Sequence, residues 1–333
     1  MTLERTKAMK TPLLDISGLK VYYVTYRGER VVRAIDGLNF RIFEGETVAL
    51  IGESGCGKST AALSILGVLP PAARVMEGKI LFSGENLLAL SFQELCKRIR
   101  GKQIAMILQD PMSSLDPVFA IGDQVAEPLQ LHRRLRGPGL TERVKELLRW
   151  VKISAPESRL AQYPHQLSGG MRQRVVGAIS LAGIPKLLIA DEPTTNLDVT
   201  IQAQYLALLR EIQQKTGLAI LFITHNLGIV AKLCTYVVVM YAGKAVEKAP
   251  TLDLFDRPIH PYSRALLRAI PKMGSKERII PIEGQPPNLA DRPPGCSFHP
   301  RCPEKEDRCS REDPPEIQIA EKRFVRCWQG ERR

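Results

Sequence analysis

No apolar run in this 333-residue chain approaches the roughly 20 residues needed to cross a bilayer. The longest candidates, around Leu187–Ala190 and Val237–Met240, have the length of buried strands. The opening segment MTLERTKAMK carries charge but neither an apolar core nor a cleavage pattern, so no signal peptide is expected, and the chain should stay in the cytosol unless a partner holds it elsewhere. An arginine-rich arm, a nucleic-acid-binding module, an internal repeat and close Cys-x-x-Cys pairs are also missing. The formal net charge of +12 favours anionic partners in general. Its basic residues are spread along the chain, with mild clusters only at Lys97–Lys102 and His132–Arg136, so a solvated basic surface accounts for them and nucleic acid is not an expected partner.

Short runs rich in β-branched and aromatic residues open the chain at Leu13–Tyr23, Val31–Ile42 and Glu46–Ile51, separated by glycine turns. A glycine-rich loop and a helix over Lys58–Gly67 follow, then a strand at Gly78–Phe82, a charged helical stretch near Phe92–Arg100 and a buried strand at Gln103–Leu108. From Ile121 to Leu160 the pattern is helical: Val125, Leu129 and Arg133 share one face, and Val144, Leu147, Leu148 and Val151 another. Alternation of strand and helix then returns, with strands at Leu187–Ala190 and Leu218–Ile223 and helices at Gly169–Ala182, Val199–Gln214 and Leu227–Leu233. A hairpin turns on Ala242-Gly243. This order predicts an α/β fold with a mainly parallel sheet covered on both faces. Beyond Pro271 the chain becomes rich in Pro and Gly and loses its period, which predicts an appended extension over 271–333.

The strongest local signal is Gly52-Glu53-Ser54-Gly55-Cys56-Gly57-Lys58-Ser59, which fits Gly-x-x-x-x-Gly-Lys-Ser/Thr between a strand and a helix. Glycines let the backbone wrap a phosphate so that several N–H groups point at one anion, and the following helix adds its positive end. Lys58 would reach the β- and γ-phosphates, and Ser59 would coordinate Mg²⁺. A second signal is Leu187-Leu-Ile-Ala-Asp191-Glu192, where two carboxylates emerge from the C-terminal end of an apolar strand. Asp191 would hold Mg²⁺ through water, and Glu192 would act as general base on the attacking water.

Between these two motifs lies Leu167-Ser168-Gly169-Gly170-Met171-Arg-Gln-Arg174, which resembles the signature of ABC transporter ATPases. Other residues are similar to that family in its order: Tyr23 resembles the aromatic residue that stacks on adenine, Gln109 the Q-loop glutamine, Thr195-Asn-Leu-Asp198 the D-loop and His225 the switch histidine. The resemblance implies an ATP-binding cassette over residues 1–270, with phosphate-loop topology, an antiparallel β subdomain and a helical subdomain at about 115–182. It implies a nucleotide site on Tyr23 and Gly52–Thr60, a Mg²⁺ site on Ser59, Gln109 and Asp191, and catalysis by Glu192, His225 and Gln109. It further implies that Ser168, Gly169, Gly170, Met171 and Asp198 act in trans, on ATP bound by a second cassette. Met171 stands where the commonest signature has Gln, and Asn196 replaces a more usual small residue.

The stretches Tyr163–Gln204 and His260-Pro-Tyr-Ser-Arg-Ala-Leu267, with the tail motifs Gly284-Gln-Pro-Pro-Asn288 and Gly295–Pro303, resemble the oligopeptide and dipeptide importer branch, which also includes carriers of nickel and short sugars. That implies an ATPase on the cytoplasmic face of the membrane, paired with a homologous but different ATPase, two permease subunits and an external binding protein. A soluble ABC ATPase acting on ribosomes or DNA, and the motor of an exporter, are the alternatives. Of seven cysteines, Cys296, Cys302, Cys309 and Cys327 crowd the tail with spacing C-x5-C-x6-C-x17-C. Four thiolates can hold zinc or a 4Fe–4S cluster, and the spacing selects neither. The resemblance favours the 4Fe–4S cluster as a structural staple, with zinc or free thiols as alternatives and His299 as a bystander.

Overall fold

The computed structural model describes residues 11–24, 30–110, 114–195, 197–270 and 281–332. The opening segment, Asn196 and the first ten residues of the expected extension lie outside them, as does part of the loop that follows Gln109. In chain order the elements are β1 (Leu14–Val24), β2 (Val31–Ile42), β3 (Thr47–Ile51), α1 (Lys58–Leu66), β4 (Ala73–Phe82), β5 (Glu85–Asn86), β6 (Ile104–Ile107), α2 (Ile121–Arg133), α3 (Gly137–Trp150), α4 (Gly169–Leu181), β7 (Leu187–Asp191), α5 (Val199–Thr216), β8 (Ala219–Ile223), α6 (Leu227–Leu233), β9 (Tyr236–Tyr241), β10 (Lys244–Pro250), α7 (Thr251–Asp256), α8 (Pro261–Arg268), β11 (Ile317–Ala320) and β12 (Arg323–Val325). No helix among the described residues is long and apolar enough to cross a membrane.

Two sheets organise these elements. A four-stranded antiparallel sheet has the order β2-β1-β4-β5, and an eight-stranded sheet the order β11-β12-β10-β9-β3-β8-β7-β6. In the larger sheet β9, β3, β8, β7 and β6 run parallel, with Leu50 opposite both Ile223 and Val238 and Asp191 opposite Ile223. Strands β3, β7 and β8 are buried at every residue, which explains their unbroken apolar runs. Each such buried Leu, Ile or Val stabilises the fold by ~1.5–3 kcal/mol. Alternate residues serve opposite faces. Val48 and Leu50 join a core with α1 and the antiparallel sheet, while Ala49 and Ile51 join a core with α2 to α5. Of the expected helical faces, Val125 and Leu129 on α2, with Val144, Leu147 and Leu148 on α3 and Val151 just after it, are buried, whereas Arg133 at the end of α2 is exposed. The stretch near Phe92–Arg100 departs from a plain helix, since one α turn passes into a π-helical turn over Leu95–Ile99.

The topology decides where chemistry can occur. The four neighbours β3, β8, β7 and β6 end on the same side of the sheet. From those ends emerge the glycine loop after Ile51, Thr224 and His225 after Ile223, Glu192 after Asp191, and Gln109 after Ile107.

The extension is tied firmly to this body. Strand β12 pairs antiparallel with β10, setting Glu247 opposite Val325 and Lys248 opposite Phe324, and β11 pairs with β12. Ion pairs join Arg292 to Asp36 at 2.9 Å, Lys248 to Glu316 at 2.9 Å and Arg264 to Glu304 at 2.6 Å. Phe298 is buried in the main core, edge-on to Tyr241 at a ring separation of 5.2 Å.

The expected 4Fe–4S cluster on Cys296, Cys302, Cys309 and Cys327 is not supported. The four thiols line one cavity beneath the extension. Among the described residues, however, no group of three or more His, Cys, Asp or Glu side chains is arranged to hold a metal ion, iron-sulfur or zinc. All four cysteines are free thiols. Burial pushes Cys296 up to about 12 and Cys327 up to about 11, and it raises Cys302 as well. Cys296 and Cys302 instead pack as small apolar side chains against the main core. Strand pairing, Phe298 and the ion pairs fasten the tail to the rest of the chain.

Candidate nucleotide site

The glycine loop is shaped by backbone close at hand. A Cβ on Gly52 (φ 151°) would meet the Met240 carbonyl oxygen at 2.2 Å, and one on Gly57 (φ 106°) would meet the Ala34 carbonyl oxygen at 2.4 Å. Glycine is therefore required at both positions by sterics and by conformation. The β9–β10 hairpin supports the loop from behind: its Gly243 N–H donates to the Cys56 carbonyl at 3.0 Å. That hairpin turns through left-handed Ala242 (φ 46°) and Gly243 (φ 80°), as a two-residue turn requires. Lys58 is 8% exposed, and its ammonium donates to the carbonyls of Gly52 at 2.8 Å and Glu53 at 3.0 Å. It lies curled inside the loop, where a phosphate would compete for its protons. Ser54 and Gly55 form the exposed crown, and Cys56 is buried with its thiol pushed up by that burial.

A charged cluster faces this loop from β7 and β8. Asp191, 7% exposed, lies near the Ser59 hydroxyl, which favours its ionised form. Burial raises the Asp191 carboxyl, Ser59 and Lys58 oppose that shift, and neighbouring Glu192 adds to it. Glu192 takes a left-handed backbone (φ 47°), a conformation worth roughly 1 kcal/mol of strain in a non-glycine residue. Its N–H donates to the Ile223 carbonyl at 2.9 Å, which holds it there. Its carboxylate meets His225 Nδ1 at 3.0 Å, and accepts from the Thr195 hydroxyl at 3.0 Å and Gln109 Nε2 at 3.3 Å. Burial pushes its pKa up, but the bonds from His225 and Thr195 and the Lys58 charge outweigh burial and leave it lowered. Glu192 is thus ionised at neutral pH and able to accept a proton. The hard oxygen donors of Ser59, Asp191 and Gln109 match what Mg²⁺ takes.

The remaining sequence-derived residues fall in two places. The Tyr23 hydroxyl lies 3.3 Å from Thr60 Oγ1 on α1, at the edge of the loop. The signature turn is elsewhere: Ser168 caps α4 by accepting from the Met171 N–H at 3.4 Å, and Asp198 caps α5 by accepting from the Ile201 N–H at 2.9 Å. Among the described residues no hydrogen bond or ion pair joins the signature turn to the glycine loop. A Cβ on Gly170 would strike Ile201 Cγ2 at 2.6 Å, whereas one on Gly169 would meet nothing within 4 Å. Packing within this chain thus accounts for glycine at 170 but not at 169.

Sequence reading missed Thr195 as a partner of Glu192, and it missed a buried pillar under the loop. The Tyr262 hydroxyl accepts the Glu53 N–H at 2.9 Å. Next to it, the Nδ1 of fully buried His260 accepts the Tyr262 N–H at 3.0 Å, and buried Glu247 accepts the N–H groups of Ile259 and His260, both at 2.9 Å. Burial holds His260 down at about 3. The unfolded chain therefore binds a proton near pH 6.5 that the folded chain refuses, so this contribution to stability is full above pH 6.5 and is lost as pH falls toward 3. At pH 5 the loss should reach about 2 kcal/mol. Urea unfolding at pH 7.5 and pH 5 checks this: the stability gap between wild type and His260→Asn should shrink on acidification, and an unchanged gap would refute the assignment. Buried Glu247, raised by desolvation, acts in the opposite sense, which is why the comparison is made against the His260 variant.

Comparisons with known proteins agree with this geometry. Residues 35–195 match the family model described as ABC transporter, and residues 246–309 match the one described as oligopeptide/dipeptide transporter, C-terminal region. A probable peptide ABC transporter ATP-binding protein of Sinorhizobium fredii is 48% identical over 96% of this chain and 95% of its own length. The dipeptide transport ATP-binding protein DppD of Bacillus subtilis is 46% identical over 96% of each. Among solved structures, the dimeric post-hydrolysis state of the ATP-binding cassette MJ0796 bound to ADP and Pi aligns with a TM-score of 0.64 and 27% identity, covering 72% of this chain and 98% of that one.

Proposed function

The chain belongs to the ATP-binding subunits of ABC transporters and is an ATPase that works with ATP and Mg²⁺, and from that premise we propose that it powers an importer of di- or oligopeptides. The observation that carries the peptide reading is the match of residues 246–309 to the oligopeptide/dipeptide C-terminal region, together with relatives named for peptides and dipeptides along nearly their whole length.

The side-chain roles that this reading assigns are supported by their positions. The glycine loop wraps the β- and γ-phosphates with its N–H groups, and Lys58 turns from the loop carbonyls toward them. Tyr23 offers its ring to adenine at the loop's edge. Ser59, Asp191 and Gln109 would hold Mg²⁺, which when bound neutralises charge on the phosphate oxygens. Glu192 takes the proton of the attacking water, and His225 and Thr195 keep its carboxylate aimed. His225, with a side chain 64% exposed, stands at the open side of the cluster where a γ-phosphate would lie.

The site is completed by a second cassette. The start of α4 presents backbone N–H groups at Ser168, Gly169 and Gly170, and the open space at Gly169 leaves room for a phosphate carried by another chain. Two ATP molecules are then held between two cassettes, with Met171 and Asp198 at the seam. The partner ATPase is a homologue, the pair sits on two permease subunits at the cytoplasmic face of the membrane, and an external binding protein delivers the peptide. Val118 and Phe119, 71% and 54% exposed after the Gln109 loop, offer the permease an apolar contact.

Uptake by cells lacking this gene tests the reading. Restoring the chain should restore accumulation of labelled di- and oligopeptides and leave nickel and oligosaccharide uptake unchanged. Restored uptake of nickel or sugar alone would overturn the peptide assignment.

A further inference from the structure

The extension reaches the nucleotide site through one side chain. Arg301 lies 248 positions beyond Glu53 in the chain, yet its guanidinium grips the Glu53 carboxylate with two bonds, at 2.7 and 3.0 Å. Its other protons go to the Tyr241 hydroxyl at 3.2 Å, the Glu283 carbonyl at 2.8 Å and the Ile282 carbonyl at 3.4 Å, so all five donors are engaged. The Arg301 side chain is only 5% exposed. Glu53 is the second residue of the glycine loop and is held further by its backbone: its N–H donates to Tyr262, and its carbonyl accepts from Lys58 and from the Cys56 N–H. Tyr262, Tyr241 and Phe298 pack ring against ring behind it, with centroids 4.6 to 5.4 Å apart.

An arginine with every donor engaged has a single orientation. A loop residue fixed by that fork and by Tyr262 cannot swing across the phosphate cradle. Without the fork, the freed Glu53 carboxylate would be drawn to the Lys58 ammonium, which already lies beside the Glu53 carbonyl. We propose that Arg301 and Tyr262 are positioning residues for nucleotide binding: the C-terminal extension braces the first bend of the phosphate loop and keeps the Glu53 carboxylate away from Lys58. The extension then contributes to ATP affinity without touching ATP, and the ATP-bound loop in turn steadies the extension.

This rests on the glycine loop being the nucleotide site, which ATP binding by the wild-type chain tests separately. The deciding experiment titrates full-length protein with a fluorescent ATP analogue and measures turnover at fixed protein concentration. Arg301→Ala should weaken binding by about tenfold and raise the apparent KM in parallel, with kcat at saturation within about twofold of wild type. Arg301→Lys should recover part of the affinity, and the exchange Glu53→Arg with Arg301→Glu should bind more tightly than either change alone. Tyr262→Phe, which keeps the ring packing, should weaken binding by about threefold and carries the test if Arg301→Ala does not fold. Unchanged affinity in folded Arg301→Ala or Tyr262→Phe, or a fall in kcat with no change in KM, overturns the proposal.

Discussion

Glu192→Gln should bind ATP as tightly as the wild type while turnover falls by roughly a hundredfold or more, the range spanned by loss of a general base. The amide has nearly the shape of the carboxylate and can still accept from Thr195, so the network around it is preserved. What disappears is the ionised oxygen that His225, Thr195 and Lys58 hold below the ordinary carboxylate range. Binding and hydrolysis therefore separate. With ATP present and hydrolysis blocked, closed pairs of cassettes should accumulate, which light scattering after gel filtration would detect. Turnover within a few-fold of wild type would remove Glu192 from its role.

Lys58→Ala should act on the other half of the cycle. The ammonium supplies the one buried positive charge among the glycine-loop residues, and a charge-assisted hydrogen bond of this kind is worth about 1.5–3 kcal/mol. ATP affinity should drop by about tenfold to a hundredfold. There is also a cost without ligand, because the Gly52 carbonyl loses its side-chain donor and the Glu53 carbonyl keeps only the Cys56 N–H. Thermal unfolding separates the two effects: the variant should melt lower than wild type when empty, and added ATP should raise its melting temperature much less. A variant stabilised by ATP as strongly as the wild type would contradict this placement of Lys58.

Much of the nucleotide site was legible because its signals are local. Gly52 to Ser59 occupy consecutive positions between a strand and a helix, and Asp191-Glu192 end a wholly apolar strand, so each motif carries its own context. His225 was picked out by its resemblance to the family's switch histidine, and its place after β8 favoured that reading. The parallel order of β3, β8, β7 and β6 turns those separate strand ends into one site, and alternation of strand and helix was enough to foresee a parallel sheet. What could not be read was contact between distant segments. Strands β11 and β12 have 4 and 3 residues, too short for a period of two to appear, and they form because β10 offers them an edge. The grip of Arg301 on Glu53 has no local sign at all. The tail cysteines show the converse hazard: their crowding suggested a metal site, but spacing along a chain does not set the relative directions of four sulfurs or their ionisation. The helical pattern at Phe92–Arg100 likewise hid a change of turn, because π and α turns share their apolar residue types.

The pairing of β12 onto β10 has a consequence for the making of the protein. A ribosome releases the chain from its N-terminus, and domains generally fold in that order. Here the outer border of the main sheet and the prop beneath Glu53 are supplied by segments that follow the cassette in the chain. Until they emerge, β10 has an open flank able to pair with foreign strands. A chain should therefore reach full protease resistance and full ATP affinity only once the extension has docked on β10, leaving an interval in which chaperones have most to do.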